Sequence, residues 1–137
     1  MSPLGLQVGQ KARRSKTVTA RDVELYAEIT GDRNPLHFDP AFAAGTRFGR
    51  LVAQGGITSG MLNALVAMDL PGPGTVFMSQ TLKYLAPTYL GDTLTAEVEV
   101  LSVKPDKPVC QLKATVTNQD GTVVLEGECW TYTMRPA

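Results

Sequence analysis

With 137 residues the chain has room for one domain with a real core and too few for two. Its 43% apolar and 19% charged fractions are those of an ordinary globular protein. Thirteen basic against thirteen acidic side chains leave a formal charge of zero, which excludes a basic field that would steer nucleic acid or an anionic membrane surface toward it.

Residues 1–10 read as a polar lead-in. Its start, Met1-Ser2-Pro3-Leu4-Gly5, lacks the charged and apolar regions of a secretory signal, so a cytoplasmic protein is expected. Gln10 to Val18 has the mixed polarity of an edge strand and carries the basic cluster Lys11, Arg13, Arg14 and Lys16, which reads most simply as solvated surface charge. Thr19-Ala20-Arg21-Asp22 is a capping box. Val23, Tyr26, Ala27 and Thr30 follow at helical spacing, and Gly31 stops the helix. Asp39-Pro40 starts a second helix of about one turn, and Thr46–Leu51 is a loop.

Gly55-Gly56 opens the next helix and Pro71-Gly72 closes it. From Ile57 to Met68 it holds no charge, and Met61, Leu62, Leu65, Val66 and Met68 surround most of its circumference. Such a helix is buried on most sides and forms the centre of a core. Asn63 is its polar exception, and a buried amide needs a partner.

From Thr75 the period becomes two. Strands are expected over Thr75–Pro87, Asp92–Lys104, Val109–Asn118 and Thr122–Met134. Leu94, Ala96, Val98 and Val100 share one face of the second, and Cys110, Leu112, Ala114 and Val116 point inward from the third. Asp120-Gly121 marks a hairpin. The last strand carries Val123, Leu125 and Cys129 on one face and Val124, Trp130 and Tyr132 on the other, which implies cover on both faces. The two cysteines read as free buried thiols. No apolar run reaches the ~18 residues of a membrane span. With one histidine and scattered thiols, no zinc site is supported. One antiparallel sheet curled around one buried helix, an α+β architecture, satisfies this order of elements.

The chemistry concentrates at Ile29-Thr30-Gly31-Asp32-Arg33-Asn34-Pro35-Leu36-His37-Phe38-Asp39. It holds the only histidine, five residues after Asp32. Gly31 ends the helix and Pro35 keeps Asn34 out of helical geometry, so Asp32 and His37 lie on a short, stiff loop and not on one helix face. A lone histidine is also an ordinary surface residue, and an aspartate after glycine an ordinary turn residue. The loop can nevertheless aim both side chains at one point, as an acid/base pair requires. Asn34 reads either as a turn residue that caps through its own side chain or as a group touching the site. Arg47 and Arg50 flank a loop and read either as surface charge or as a contact for a phosphate.

Tyr26–Ala43, with Gly31-Asp32-Arg33-Asn34-Pro35-Leu36-His37 at its centre, closely resembles the hydratase motif of the MaoC-like (R)-specific enoyl-CoA hydratases. Val8–Arg13, Leu70–Gly74, Gly91–Val100 and Asp106-Lys107-Pro108 resemble the short members that feed polyhydroxyalkanoate synthesis. The resemblance implies a single hotdog domain over 1–137, with an antiparallel sheet wrapped around a central helix. It implies a hydro-lyase that adds water to trans-2-enoyl-CoA to give (R)-3-hydroxyacyl-CoA, with no metal or redox cofactor. The family's dyad matches Asp32 and His37. Its oxyanion donor, a backbone N–H at the start of the central helix, matches Gly55 or Gly56, which alone would read as a plain helix start. A site serine of close relatives matches Asn63.

Two departures stand out: Ala53-Gln54-Gly55-Gly56 where relatives tend to have Val-His-Gly-Met, and Asn63 itself. Both bear on where water and the acyl group sit. A lone hotdog leaves a sheet edge exposed, so a homodimer is expected, with an acyl-CoA thioester as the small-molecule partner. A hotdog acyl-CoA thioesterase is the first alternative, disfavoured because the central helix carries no acid between Ile57 and Met68. A non-catalytic acyl-CoA binding module is the second, disfavoured because a binder has no use for an acid/base pair.

Overall fold

The alternation after Thr75 produces strands whose inward sides form one apolar surface. In the computed structural model, which describes residues 3–136, Leu94, Ala96, Val98 and Val100 are fully buried. Cys110, Leu112, Ala114 and Val116 face the same core from the neighbouring strand. The elements run β1 (Lys11–Thr17), α1 (Ala20–Thr30), α2 (Pro35–Phe38), α3 (Pro40–Ala44), α4 (Gly55–Met68), β2 (Thr75–Tyr84), β3 (Thr93–Val103), β4 (Val109–Thr117) and β5 (Val123–Thr133). The strands form one antiparallel sheet in the order β1-β3-β4-β5-β2. Residues Met1 and Ser2 of the expected lead-in, and Ala137, lie outside the described residues.

α4 lies across the sheet and touches β1, β2 and β3. Met61, Leu62, Leu65 and Val66 are its core side, each contributing roughly 1.5–3 kcal/mol by burial. This is the α+β hotdog arrangement expected from the order of elements. The boundaries follow local chemistry. Thr19 and Asp22 form the reciprocal capping box, and Gly31 closes α1 in the left-handed conformation at φ 83°. Asp39 caps α3 with Pro40 at its first turn. Asn118 holds the turn that carries Gly121 by accepting from the N–H groups of Asp120 and Thr122.

Three expectations need correction. The loop between Gly31 and Asp39 contains a helical turn, α2, because Asn34 caps it and Pro35 presets its φ, so His37 sits on a helix after all. α4 is not buried nearly all round: Gly60, Asn63 and Met68 form an exposed side, Met68 at 59%. The sheet can cover only one side of a helix, and the Asn63 amide therefore meets no desolvation cost within this chain. On the side of β5 read as outer, Val124 joins the core at 1% exposure, Lys104 lies over Trp130 at 5.3 Å, and Tyr132 is exposed, so the cover is only partial. Cys110 and Cys129 are free and buried, as expected.

Candidate active site

The site is assembled at the junction of α1, α2 and the start of α4. The N–H, Oδ1 and carbonyl of Asp32 are hydrogen-bonded. Its N–H donates to Thr30 Oγ1 at 3.1 Å, and that hydroxyl donates to the Tyr26 carbonyl at 2.8 Å. Its Oδ1 accepts from the Asn34 N–H at 3.2 Å. Its Oδ2 lies 3.6 Å from His37 Nε2. Its carbonyl faces the Gln54 amide nitrogen at 3.4 Å. Arg33, the nearest cation in sequence, instead pairs with Glu24 at 2.8 Å and leaves the Asp32 carboxylate unneutralised.

His37 is buried, while the Asp32 side chain is 40% exposed. One member of the pair is held rigidly and the other reaches solvent. His37 Nδ1 lies 2.6 Å from the Val52 carbonyl. A carbonyl can only accept, so Nδ1 carries a proton, and the neutral ring of that tautomer has its lone pair at Nε2. That lone pair faces a carboxylate oxygen, which is also an acceptor. Two acceptors 3.6 Å apart do not bond each other directly, but one water can donate a proton to each.

The start of α4 supplies donors. Gln54 occupies its cap position without a side-chain capping bond, and the N–H groups of Gly55 and Gly56 find no acceptor among the described residues. Fourteen residues of aligned peptide dipoles end there, which favours an anionic oxygen. A side chain at either position would have to displace a tyrosine ring or the first turn of α4. A Cβ on Gly55 would lie 2.8 Å from Tyr84 Cε1, and one on Gly56 would collide with the Tyr26 hydroxyl.

A cleft of about 370 Å³ opens beside this helix start. Val52, Ala53, Gly55 and Thr58 form one wall, Tyr84–Thr88 and Val124 the other, with Arg47 and Phe48 at the rim. Asp32 and His37 do not line it. They lie behind Val52, whose carbonyl holds His37, and Gly55 is where cleft and helix start meet. Of the two loop arginines, Arg47 borders the cleft, whereas Arg50 stacks on Tyr89 at 4.0 Å. The basic cluster on β1 is mostly ion-paired: Arg13 with Glu97, Arg14 with Asp69 and Lys16 with Asp22.

Asp32, His37, Asn34, Gly55 and Gly56 are thus brought to one region. The Asn34 side chain is occupied in capping α2, accepting from the Leu36 N–H at 3.0 Å. Asn63 is not brought there by a single chain: it lies on the exposed side of α4, about 12 Å of helix rise beyond Gly55. Sequence reasoning overlooked the anchoring roles of Thr30, Val52 and Gln54. Thr30 was legible in principle, because a hydroxyl two residues before a helix-end aspartate forms a local turn bond. The other two act across 15 residues or more and carry no local signal.

The MaoC-like domain family matches residues 5–124. The chain is 41% identical over 128 residues to the (R)-specific enoyl-CoA hydratase of Aeromonas caviae, a match covering 93% of this chain and 96% of that one. It is 43% identical over 123 residues to the 3-hydroxybutyryl-CoA dehydratase of Methylorubrum extorquens, covering 90% and 78%. Among solved structures, the A. caviae (R)-hydratase involved in PHA biosynthesis superposes with a TM-score of 0.91 at 39% identity, covering 95% and 98%. The unliganded R-hydratase of Pseudomonas aeruginosa superposes at 0.89 with 40% identity, covering 96% and 84%. A match over most of the chain, in sequence and in fold alike, establishes that this chain belongs to the MaoC-like domain family.

Proposed function

We propose that this protein is an (R)-specific enoyl-CoA hydratase, a hydro-lyase that adds water to trans-2-enoyl-CoA to give (R)-3-hydroxyacyl-CoA. The observation that carries the reading is the pairing of two acceptors, Asp32 Oδ2 and His37 Nε2, 3.6 Å apart beside the unpaired N–H groups that open α4. The names of the relatives at 41% and 43% identity support it.

The chemistry follows from the geometry. A water held between Asp32 and His37 loses a proton to the pair as its oxygen bonds to Cβ. The π electrons of the double bond move toward the thioester, and the oxygen of the resulting enolate is received by the Gly55 and Gly56 N–H groups. The pair then gives a proton to Cα, and water has been added with no net change in the enzyme. The thioester reaches Gly55 through the cleft walled by Thr58 and Tyr84–Thr88, with Arg47 placed to meet a CoA phosphate. No step calls for a metal or redox group.

We place the protein in the cytoplasm as one hotdog domain spanning residues 1–137, working as a homodimer. β2 supports the dimer: it is a sheet edge of ten residues with Val76, Met78 and Tyr84 exposed, which an isolated chain would leave open to pairing. The exposed side of α4 with Asn63 is a second face that a partner would cover.

The test is hydration of crotonyl-CoA, followed as loss of enoyl absorbance. Asp32→Asn should lower kcat about 10²–10⁴-fold while leaving the fold intact, since the side chain is partly exposed and caps no helix. An undiminished rate rejects the assignment. Release of free thiol from acyl-CoA by the parent protein would point instead to a thioesterase, and a monomer in gel filtration would reject the dimer.

A further inference from the structure

Gln54 is 1% exposed, and its side chain has an uneven set of partners. Nε2 donates to the Val23 carbonyl at 3.0 Å and to the Asp32 carbonyl at 3.4 Å. Both neighbours at that end are carbonyls, so the NH2 group must face them. Oε1, at the other end, has no hydrogen-bond partner among the described residues. Keeping an amide buried with an unpaired acceptor is unfavourable, and an apolar side chain of the same shape would avoid that cost. What the amide alone provides is its grip on α1 and on Asp32.

The neighbours of Gln54 give that grip a direction. The Val52 N–H donates to the Leu36 carbonyl at 3.1 Å, and the Val52 carbonyl accepts from His37 at 2.6 Å. Gly55 follows immediately and opens α4. One short segment, Val52–Gly55, therefore holds His37 through its main chain, Asp32 through the Gln54 side chain, and the enolate oxygen through Gly55. Asp32 otherwise hangs from bonds within its own loop, to Thr30 and Asn34, which fix its local shape but not its distance from the helix start.

We infer that Gln54 is a positioning residue for hydration: its carboxamide sets the Asp32 carboxylate against His37 and against the start of α4. The inference rests on the hydratase reading above, and it touches no substrate atom. Removal of the amide leaves the thioester site in place but lets Asp32 drift, so binding survives while chemistry slows.

The experiment compares Gln54→Met, Gln54→Asn and Gln54→His with Asp32→Asn, using crotonyl-CoA hydration and thermal melting. Methionine keeps the length without the donors, asparagine keeps the amide without the reach, and histidine keeps one N–H donor. The expected result is a kcat lowered about 10–100-fold in the methionine variant with KM changed less than about threefold, and partial recovery in the histidine variant. If methionine prevents folding, the asparagine variant should show the same split between kcat and KM. Normal kcat in folded Gln54→Met or Gln54→Asn, with Asp32→Asn inactive, overturns the inference and leaves the hydratase reading standing. A lowered Tm with unchanged kcat means packing only and overturns it equally. A fully active Asp32→Asn overturns both.

Discussion

Gly56→Ala tests the shape of the helix start without changing any charge. The added Cβ would fall inside the van der Waals envelope of the Tyr26 hydroxyl and lie 2.6 Å from Tyr26 Cε2. Ordinary carbon contacts are about 3.5–4.0 Å, so the ring or the first turn of α4 must move by about 1 Å or more. Overpacking of this kind costs about 1–3 kcal/mol. For a chain of this size that is a fall in Tm of about 3–10 °C. The same displacement moves the Gly55 and Gly56 N–H groups, and on the proposed reading that they receive the enolate oxygen, a 1 Å error there is worth up to about 100-fold in kcat. Tyr26→Ala removes the obstacle, so the double variant should be more stable than the sum of the single effects by at least about 1 kcal/mol. The assay is urea unfolding at fixed protein concentration, with crotonyl-CoA turnover in parallel. Additivity within about 0.5 kcal/mol would refute the steric account, because it would mean that residues 26 and 56 do not meet.

Two further outcomes follow from the electrostatics. Burial pushes the Cys110 thiol up to about 11, and burial with Cys110 close by pushes Cys129 up to about 12. Iodoacetamide at pH 8 should therefore leave both unmodified in the native protein and label both after denaturation; rapid native labelling would contradict the buried placement. At Asp22, burial opposes ionisation, but the Thr19 N–H, Lys16 and the Thr19 hydroxyl outweigh it and hold the carboxyl below its ordinary range. A lowered native pKa stabilises the fold above the ordinary carboxylate pKa of about 4, and that share is lost as pH falls through the native value. Asp22→Asn should cost about 1 kcal/mol at neutral pH and flatten the acid side of the stability profile; an unchanged acid limb would show that the capping box contributes nothing measurable.

The ends of the elements were legible because they depend on neighbours in sequence. Thr19 with Asp22, Asp39 with Pro40, and Gly31 each satisfy or release backbone groups within four residues, and the period-two runs of β3 and β4 place one apolar face by geometry alone. The candidate acid/base pair was legible for the same reason, since Gly31 ends α1 just before Asp32 and Pro35 opens the turn that carries His37. The environment of α4 was less so. Its composition implies burial on most sides, yet which side stays open depends on how far the sheet wraps, and Asn63 falls on the open side. Trp130 and Tyr132 share one face of β5 in the alternation, which implies cover for both, and only the structure shows Lys104 over Trp130 with Tyr132 exposed.

By itself, then, the sequence determined α1, α3, α4, the strands, the hairpin and the acid/base candidates, all of which rest on contacts a few residues long, while the turn α2 was read as loop. Only the tertiary structure decided that the Val52 carbonyl orients His37, that the Gln54 amide donates to the Asp32 carbonyl, and that Tyr26 and Tyr84 crowd the glycines opening α4. Those contacts join positions 15 to 31 residues apart. They arise when α1 and the dyad loop pack against the start of α4, and no local spacing encodes which distant carbonyl a buried amide will meet.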